Sequence, residues 1–399
     1  INNFLATGAN GADGGAIYNT GIISKLTGVL KGNILSAYVV QGGAIYNTGT
    51  MNIEDSIIAN NHTNYLGNSN ARNGTAILNT GTITLTDTSV FNNTSTAQTD
   101  AQAIRNGEGG SATMNINAIN KDVNFFGNKQ GDGTYYDISN VYLSNLNLNA
   151  KADKKIVFNG RLGGGSPSAN THGYININSD TSNTGGEYVF NSYVGGSDIN
   201  AFNNANVRFG NVRQSDGSVT YGSLSTEALT TDSTGASMNF ANANADQTQN
   251  FGALTLNGDL KLGLDSGEKI AASNATGEGS ILFDYINYAS TPASNQISWT
   301  YADSGNAVIG KVADNSTATV NTPYQTFTGA AAKNGNQMNV TLSDGTENLA
   351  GFLVKDETGT SYDMARDEQI LVDLGAMAGE KRSTVRTSSL PLASTSLSS

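Results

Sequence analysis

Two carboxylates stand out by their spacing. Asp55 and Asp87 are 32 residues apart, the same step that separates two copies of a glycine-rich motif. In a chain that stacks its repeats, residues one repeat apart fall on neighbouring layers at the same place around the stack. Two carboxylates so placed could hold a cation, or divide acid and base roles in cleaving a glycosidic bond. Glu54 adds a third acid beside them. An aspartate at a corner more commonly bonds local backbone N–H groups. In the preceding repeat Thr27 takes the corresponding place, with Lys25 two residues before it, so the acidic pair is not continued. His62 and His172 are the only histidines, and both stand in polar stretches that read as solvated loops. With no cysteine and no partner spacing for either histidine, no catalytic triad or thiol nucleophile can be assembled. Gly8 to Gly15 superficially resembles a glycine/aspartate calcium repeat, but the nonapeptide recurrence is missing, and Asp13 reads as a corner residue. Phosphate-loop and dinucleotide fingerprints are absent. The expectation is no metal and no cofactor.

Tyrosines are the second candidate chemistry. Tyr18 and Tyr46 recur at an outward position, where Leu78 and Arg105 follow in later copies. Tyr65 stands in the insertion from Asn61 to Asn73, read as a corner lengthened into a loop that could carry binding. Tyr135, Tyr136 and Tyr142 add to the supply, and Trp299 is the single tryptophan. An exposed aromatic stripe could contact a glycan or a protein. The plainer reading is cross-strand stacking that stabilises the surface.

What must position these groups is a repeat. Gly42-Gly43-Ala44-Ile45-Tyr46-Asn47-Thr48-Gly49-Thr50 occurs earlier as Gly14 to Gly21, later as Gly74 to Thr82, and in worn form as Ala103 to Gly107. The steps from Ile17 to Ile45, Ile77 and Ile104 are 28, 32 and 27 residues. After each motif, apolar and small polar residues alternate, as in Met51/Ile53, Ile83/Leu85 and Met114/Ile116. That alternation reads as strand. A single unit cannot bury its apolar edge, but stacked units pair every strand at about 4.8 Å. Ile17, Ile45, Ile77 and Ile104 then form one inward column. Gly15 and Gly43, before the alanine, supply the positive φ and close approach of a tight corner. Asn19, Asn47, Asn79 and Asn106 suit left-handed corners and can bond to the next layer as a ladder.

The spacing predicts an all-β parallel β-helix over 1–265. Its second half is carried by Ile156 to Gly165, echoed 32 residues on by Tyr188 to Ser197. Longer strands such as Ile281–Ile286 and Gln296–Tyr301 predict a β-rich elaboration or irregular continuation over 266–365. A short return to the repeat and a flexible Ser/Thr tail are expected over 366–399.

Bulk properties exclude several classes. A net charge of −12 and a pI of about 4.5 argue against nucleic acid, which selects a basic stripe, and against an anionic membrane surface. Only 14% of residues are charged, and polarity comes from Asn, Thr, Ser and Gly instead. No apolar run is long enough to span a membrane as a helix, so no direct membrane insertion is expected. The chain begins at Ile1 and already reads as mid-repeat, which suggests a mature product or an excised segment.

The Gly-Gly-Ala-Ile repeats, followed by Phe125-Phe126-Gly127-Asn128 and its variants Ile57 to Asn60 and Val90 to Asn93, resemble autotransporter passenger domains and polymorphic outer-membrane proteins. Ile175 to Asp180 and Thr255 to Leu260 look like the middle of such passengers. The resemblance covers about residues 1–265. It implies a right-handed parallel β-helix on a Gram-negative cell surface, often an adhesin, exported through a C-terminal membrane β-barrel. No series of lipid-facing strands closes this chain, so anchoring is expected through a part not present here. The function expected is an extracellular, surface-displayed adhesin or self-association module that is not catalytic. Its partner would be a host-cell or bacterial surface glycan or protein, or a second copy. The alternatives are a β-helix polysaccharide lyase or hydrolase using Asp55 and Asp87, and a subunit of an extracellular filament.

Overall fold

A computed structural model describes residues 4–6, 12–37, 40–65, 74–98, 101–164, 172–323 and 325–347. The described residues are all-β, with long parallel sheets and one 3-10 turn at Ala307–Gly310. The repeat motif supplies a ten-stranded parallel sheet. It begins with Ile17–Asn19, Ile45–Asn47, Ile77–Asn79 and Ile104–Asn106, and ends at Lys269–Ala271. Register is one for one at the start: Ile17 faces Ile45, Ile45 faces Ile77, and Ile77 faces Ile104. The isoleucines from Ile45 onward are fully buried.

Two further columns of strands follow the motif. One runs through Thr82–Thr86, Thr113–Ala118 and Asn145–Ala150, the other through Ser89–Phe91, Val123–Phe126 and Lys155–Phe158. Thr50–Ala59 serves both columns, turning between them at Asp55, where φ is 47°. A short fourth sheet joins Phe4–Ala6, Ile34–Ala37, His62–Tyr65 and Thr94–Ser95. The expected loop at Asn61 is therefore a strand as far as Tyr65, because its backbone pairs on both sides. The rest of that insertion, 66–73, lies outside the described residues.

The two glycines of the motif divide the work assigned to one. Gly42 takes the left-handed turn, with φ of 63°. Gly43 provides the close approach: a Cβ there would sit 1.8 Å from the Thr75 carbonyl oxygen of the next repeat. Left-handed corners fall at Asp55, Asn60, Asp87 and Asn92, not at the motif asparagines. Asn19, Asn47, Asn79 and Asn106 end strands instead, and their side chains form a ladder. Each Nδ2 donates to the Oδ1 of the next, at 2.7, 2.8, 2.8 and 2.8 Å, ending on Asn140.

Aromatic stacking carries the middle of the core. Phe125, Phe158, Phe190 and Phe209 are consecutive register partners on successive strands. Phe158 lies 4.6 Å from Phe125 and 5.6 Å from Phe190, ring centre to ring centre. Replacing Phe158 by Leu keeps the site apolar but removes two ring contacts. The expected loss is about 2 kcal/mol, read as a lower chemical-denaturation midpoint. A midpoint unchanged from wild type would show that the stack is not load-carrying in energy.

Parallel pairing does not stop at Asp265. Leu260–Asp265 pairs with Ile281–Asn287, and that strand pairs in parallel with Asn315–Asn321. Beyond this the sense reverses: Gln325–Asn334, Gln337–Glu347 and Gln296–Thr300 pair antiparallel. The return to the repeat and the tail expected over 366–399 lie outside the described residues.

Candidate functional site

The expected acidic pair is occupied. Asp87 accepts from the backbone N–H groups of Ile119, Asn120 and Lys121, at 2.7, 3.0 and 3.2 Å through Oδ1, and from Asn120 Nδ2 at 2.9 Å. Burial alone would raise its carboxyl, but these donors outweigh it and hold the group below the usual carboxylate range. Asp55, on the neighbouring layer, pairs with Lys121 Nζ at 2.8 Å in an exposed contact. Glu54 pairs with Lys25. Thr27 does not stand beside Asp55: a register shift between Ile23 and Leu26 places it opposite Glu54. This corner ties three repeats together, and its carboxylates already have partners.

The tyrosines do not form one stripe. Tyr18 and Tyr46 lie 5.1 Å apart, ring centre to ring centre, and Tyr18 is 56% exposed. The face ends there, because Leu78 is fully buried and Arg105 nearly so, its Nε 2.6 Å from Glu108 Oε2. Tyr65 belongs to the short fourth sheet and packs on Ala97 and Ala101. Nor are the histidines solvated loop residues. His62 lies in a strand, its Nδ1 2.9 Å from Thr94 Oγ1, with burial pulling its pKa down. His172 sits 3.5 Å from Asp198 and edge-on to Tyr174. Among the described residues no cluster of three or more His, Cys, Asp or Glu could hold a metal ion.

A site the sequence reading did not assemble lies on the outer side of the ten-stranded sheet. Tyr136 faces Arg161 in register, and the next pair, Leu162 with Val194, sets Tyr193 beside Arg161. The Arg161 guanidinium lies 5.6 Å from the Tyr136 ring centre and 5.1 Å from that of Tyr193. Two rings thus flank one cation, each worth about 0.5–1 kcal/mol at an exposed site. Tyr136 is fixed in turn by donating its hydroxyl to the Gly163 carbonyl at 2.6 Å.

An antiparallel hairpin closes one side. Asn211–Arg213 pairs with Val219–Tyr221, and the turn between them is set by Asp216, which accepts from the Ser218 backbone N–H at 3.1 Å. The hairpin folds back onto residues far upstream. Gln214 Nε2 donates to the Asn159 carbonyl at 2.7 Å, and Tyr135 Oη lies 3.0 Å from Ser215 Oγ. Asp216 Oδ2 lies 2.9 Å from Lys129 Nζ, which itself stands over the Tyr135 ring at 4.9 Å. Hydrogen bonds from Ser218 and Lys129 hold the Asp216 carboxyl low, and the same pairing raises Lys129. Between hairpin and sheet is a cleft of about 340 Å³ lined by Tyr135, Arg161, Tyr193, Ser218, Thr220 and Tyr221. It offers the half-buried rings of Tyr193 and Tyr221, hydroxyls that already donate to Asp216 and the Asn191 carbonyl, and one exposed guanidinium. The signal in the sequence was the 32-residue echo, which puts Arg161 and Tyr193 at equivalent places. Nothing in the sequence showed that the hairpin would fold back.

The chain matches no family model, no curated protein and no solved structure.

Proposed function

We propose that the chain is a right-handed parallel β-helix of the autotransporter-passenger kind, displayed outside a Gram-negative cell as an adhesin. The observation that supports this most is the unbroken parallel stacking of the repeat from Ile17 to Ala271, with a ligand-sized cleft built on its outer side. Such a stack is stiff along its length, because each repeat is held by its neighbours. It can carry a recognition site away from a cell surface. A glycan or a protein on a host or bacterial cell is the partner this reading supplies. Self-association is the second reading. The outward column Thr84, Asn115, Asn147, Asn176, Asn200 and Thr230 favours it, since the column is uncharged and in register. Two such faces can approach without desolvating charge.

The test is retention of purified protein on a panel of polysaccharides and cultured host cells, with released oligosaccharide measured separately. Retention without release is expected. Release of fragments would overturn the reading in favour of a polysaccharide-degrading enzyme. Concentration-dependent association in sedimentation, without retention on any surface, would favour the self-association reading.

A further inference from the structure

We infer that the cleft beneath the 211–221 hairpin binds a carboxylated sugar, a sialic or uronic acid unit of a glycan, with Arg161 as the carboxylate anchor. The inference deepens the adhesin reading and rests on it for the ligand's setting. Its chemistry rests on the cleft alone. Tyr193 and Tyr221 line the cleft with half-buried rings, and Tyr135 is buried in its wall. The Ser218 and Thr220 hydroxyls, which donate to Asp216 Oδ1 and the Asn191 carbonyl, face a ligand as acceptors. A sugar ring presents C–H groups on its faces and hydroxyls at its edge, so it needs an aromatic surface and side-chain hydroxyls together. Aromatic rings with a polar tip supply both. The volume, about 340 Å³, lies at the low end of small-molecule sites, which run from about 300 to 1,000 Å³. That is room for a terminal sugar rather than a long chain.

Arg161 decides the class of sugar. Its strand lies between those of Tyr136 and Tyr193, and its guanidinium carbon is 5.6 and 5.1 Å from the two ring centres. The two rings hold the cation in place, and among the described residues the guanidinium N–H groups make no hydrogen bond or ion pair, so they are left to a ligand. Among the described residues no carboxylate lies within ion-pair distance of Arg161, whereas Lys129, over the Tyr135 ring, is taken up by Asp216. A guanidinium with its N–H fork unpaired matches a carboxylate with two parallel hydrogen bonds. The chain carries a net charge of −12, so no long-range field draws an acidic ligand in. Recognition must come from this local cation, which makes Arg161 the residue to test.

Binding of sialyllactose and of trigalacturonate to the full chain would be measured by calorimetry, against lactose and the methyl ester of trigalacturonate as uncharged counterparts. At least one carboxylated probe is expected to bind tenfold or more tightly than its counterpart. Arg161→Gln is expected to lose that tenfold preference, and Tyr193→Ala to weaken binding of the same probe. Arg161→Gln gives up two weak ring contacts, so it is expected to stay folded with a melting temperature lowered by no more than a few degrees. Arg161→Lys, with a point charge and no fork, is expected to fall between wild type and Gln. Equal binding of charged and uncharged probes, unchanged binding by Arg161→Gln, or no binding of any probe would each overturn the inference. So would binding of a sulfated oligosaccharide in place of both carboxylated ones. Cell adherence measured in parallel separates the two readings. Adherence that survives in Arg161→Gln with no probe binding removes the cleft inference and leaves the adhesin. Carboxylate binding without adherence removes the adhesin and leaves the cleft.

Discussion

Replacing Asn79 by aspartate is expected to cost at least about 5 kcal/mol at pH 7. Asn79 is fully buried in the middle of the ladder. Its Oδ1 accepts from Asn47 Nδ2 at 2.8 Å, and a carboxylate would keep that bond. Its Nδ2 is the difficulty. It donates to Asn106 Oδ1 at 2.8 Å, to the Thr113 carbonyl at 3.0 Å and to the Gly81 carbonyl at 3.2 Å. Aspartate turns one oxygen toward three acceptors and adds a buried charge with no cation to meet it. Asn79→Ala removes the donor without the charge and should cost about 3 kcal/mol, chiefly through groups left unpaired. Asn52→Asp is the control. Asn52 is partly exposed, donates only to the Ser24 carbonyl, and should change stability by less than about 1 kcal/mol. Urea denaturation followed by circular dichroism gives the ranking. If Asn79→Asp fails to accumulate, Asn79→Ala carries the test. Asn79→Ala within 1 kcal/mol of wild type would show that the ladder decorates the stack without holding it.

How much of this could be read beforehand follows from what a period encodes. The isoleucine column was readable because inward residues recur at each repeat, and every layer applies the same selection for an apolar side chain. The same holds for Phe158 and Phe190, found in the echo and observed as register partners. The asparagine ladder was anticipated, but its geometry was misjudged. Asn47 and Asn79 end strands, while the left-handed corners went to Asp55, Asn60, Asp87 and Asn92. Composition shows that a repeat contains asparagine. It does not show whether backbone or side chain does the turning. Leu78 was placed with the outward tyrosines by register, and it is outward in register but covered. Register fixes the direction in which a residue points and not what lies over it, so a period cannot reveal burial from outside the column.

The same reasoning explains why the acidic pair and the cleft changed places. Asp55 and Asp87 attracted attention because they share a position, and sharing a position is what a corner cap does in every layer. The cleft is made by departures from the pattern. Arg161 breaks a run in which its neighbours are tyrosines, and the 211–221 hairpin is an excursion whose tip meets Lys129 and Tyr135 more than two repeats upstream. Repetition builds the scaffold, and the recognition chemistry sits where repetition fails.

Two buried acids should make the chain less stable as pH rises, the reverse of the usual trend for a carboxylate-rich protein. A second ladder, Asn33, Asn61, Asn93 and Asn128, ends on Asp137, whose Oδ1 accepts from Asn128 at 2.8 Å. Asp137 is fully buried. Burial pushes its carboxyl up to about 7, against the donors from Asn128 and Gly160. Glu268, also fully buried, is pushed by burial to about 8, against the donors from Gln249 and the Asp265 backbone N–H, with the Asp265 charge adding least to the rise. In the unfolded chain these groups ionise near 3.8 and 4.5. Between those limits the folded state holds a proton that the unfolded state has released. Stability therefore falls by up to about 1.4 kcal/mol per pH unit per group as pH rises from about 4 to about 8. Asp87, Asp180, Glu187 and Asp232 are held low instead, so their contribution is lost only in acid. Thermal midpoints at matched ionic strength should be highest near about pH 5 and drop by several degrees at pH 8. Net charge, −12 at pH 7, pushes the same way through self-repulsion, and salt separates the two causes. At about 1 M salt the Debye length is about 3 Å, so surface repulsion is screened while the buried carboxyl effect persists. A curve that flattens in high salt would assign the whole effect to surface charge. One that keeps its slope, with the carboxyl carbons of Asp137 and Glu268 titrating above pH 6 by NMR, would assign it to the two buried acids.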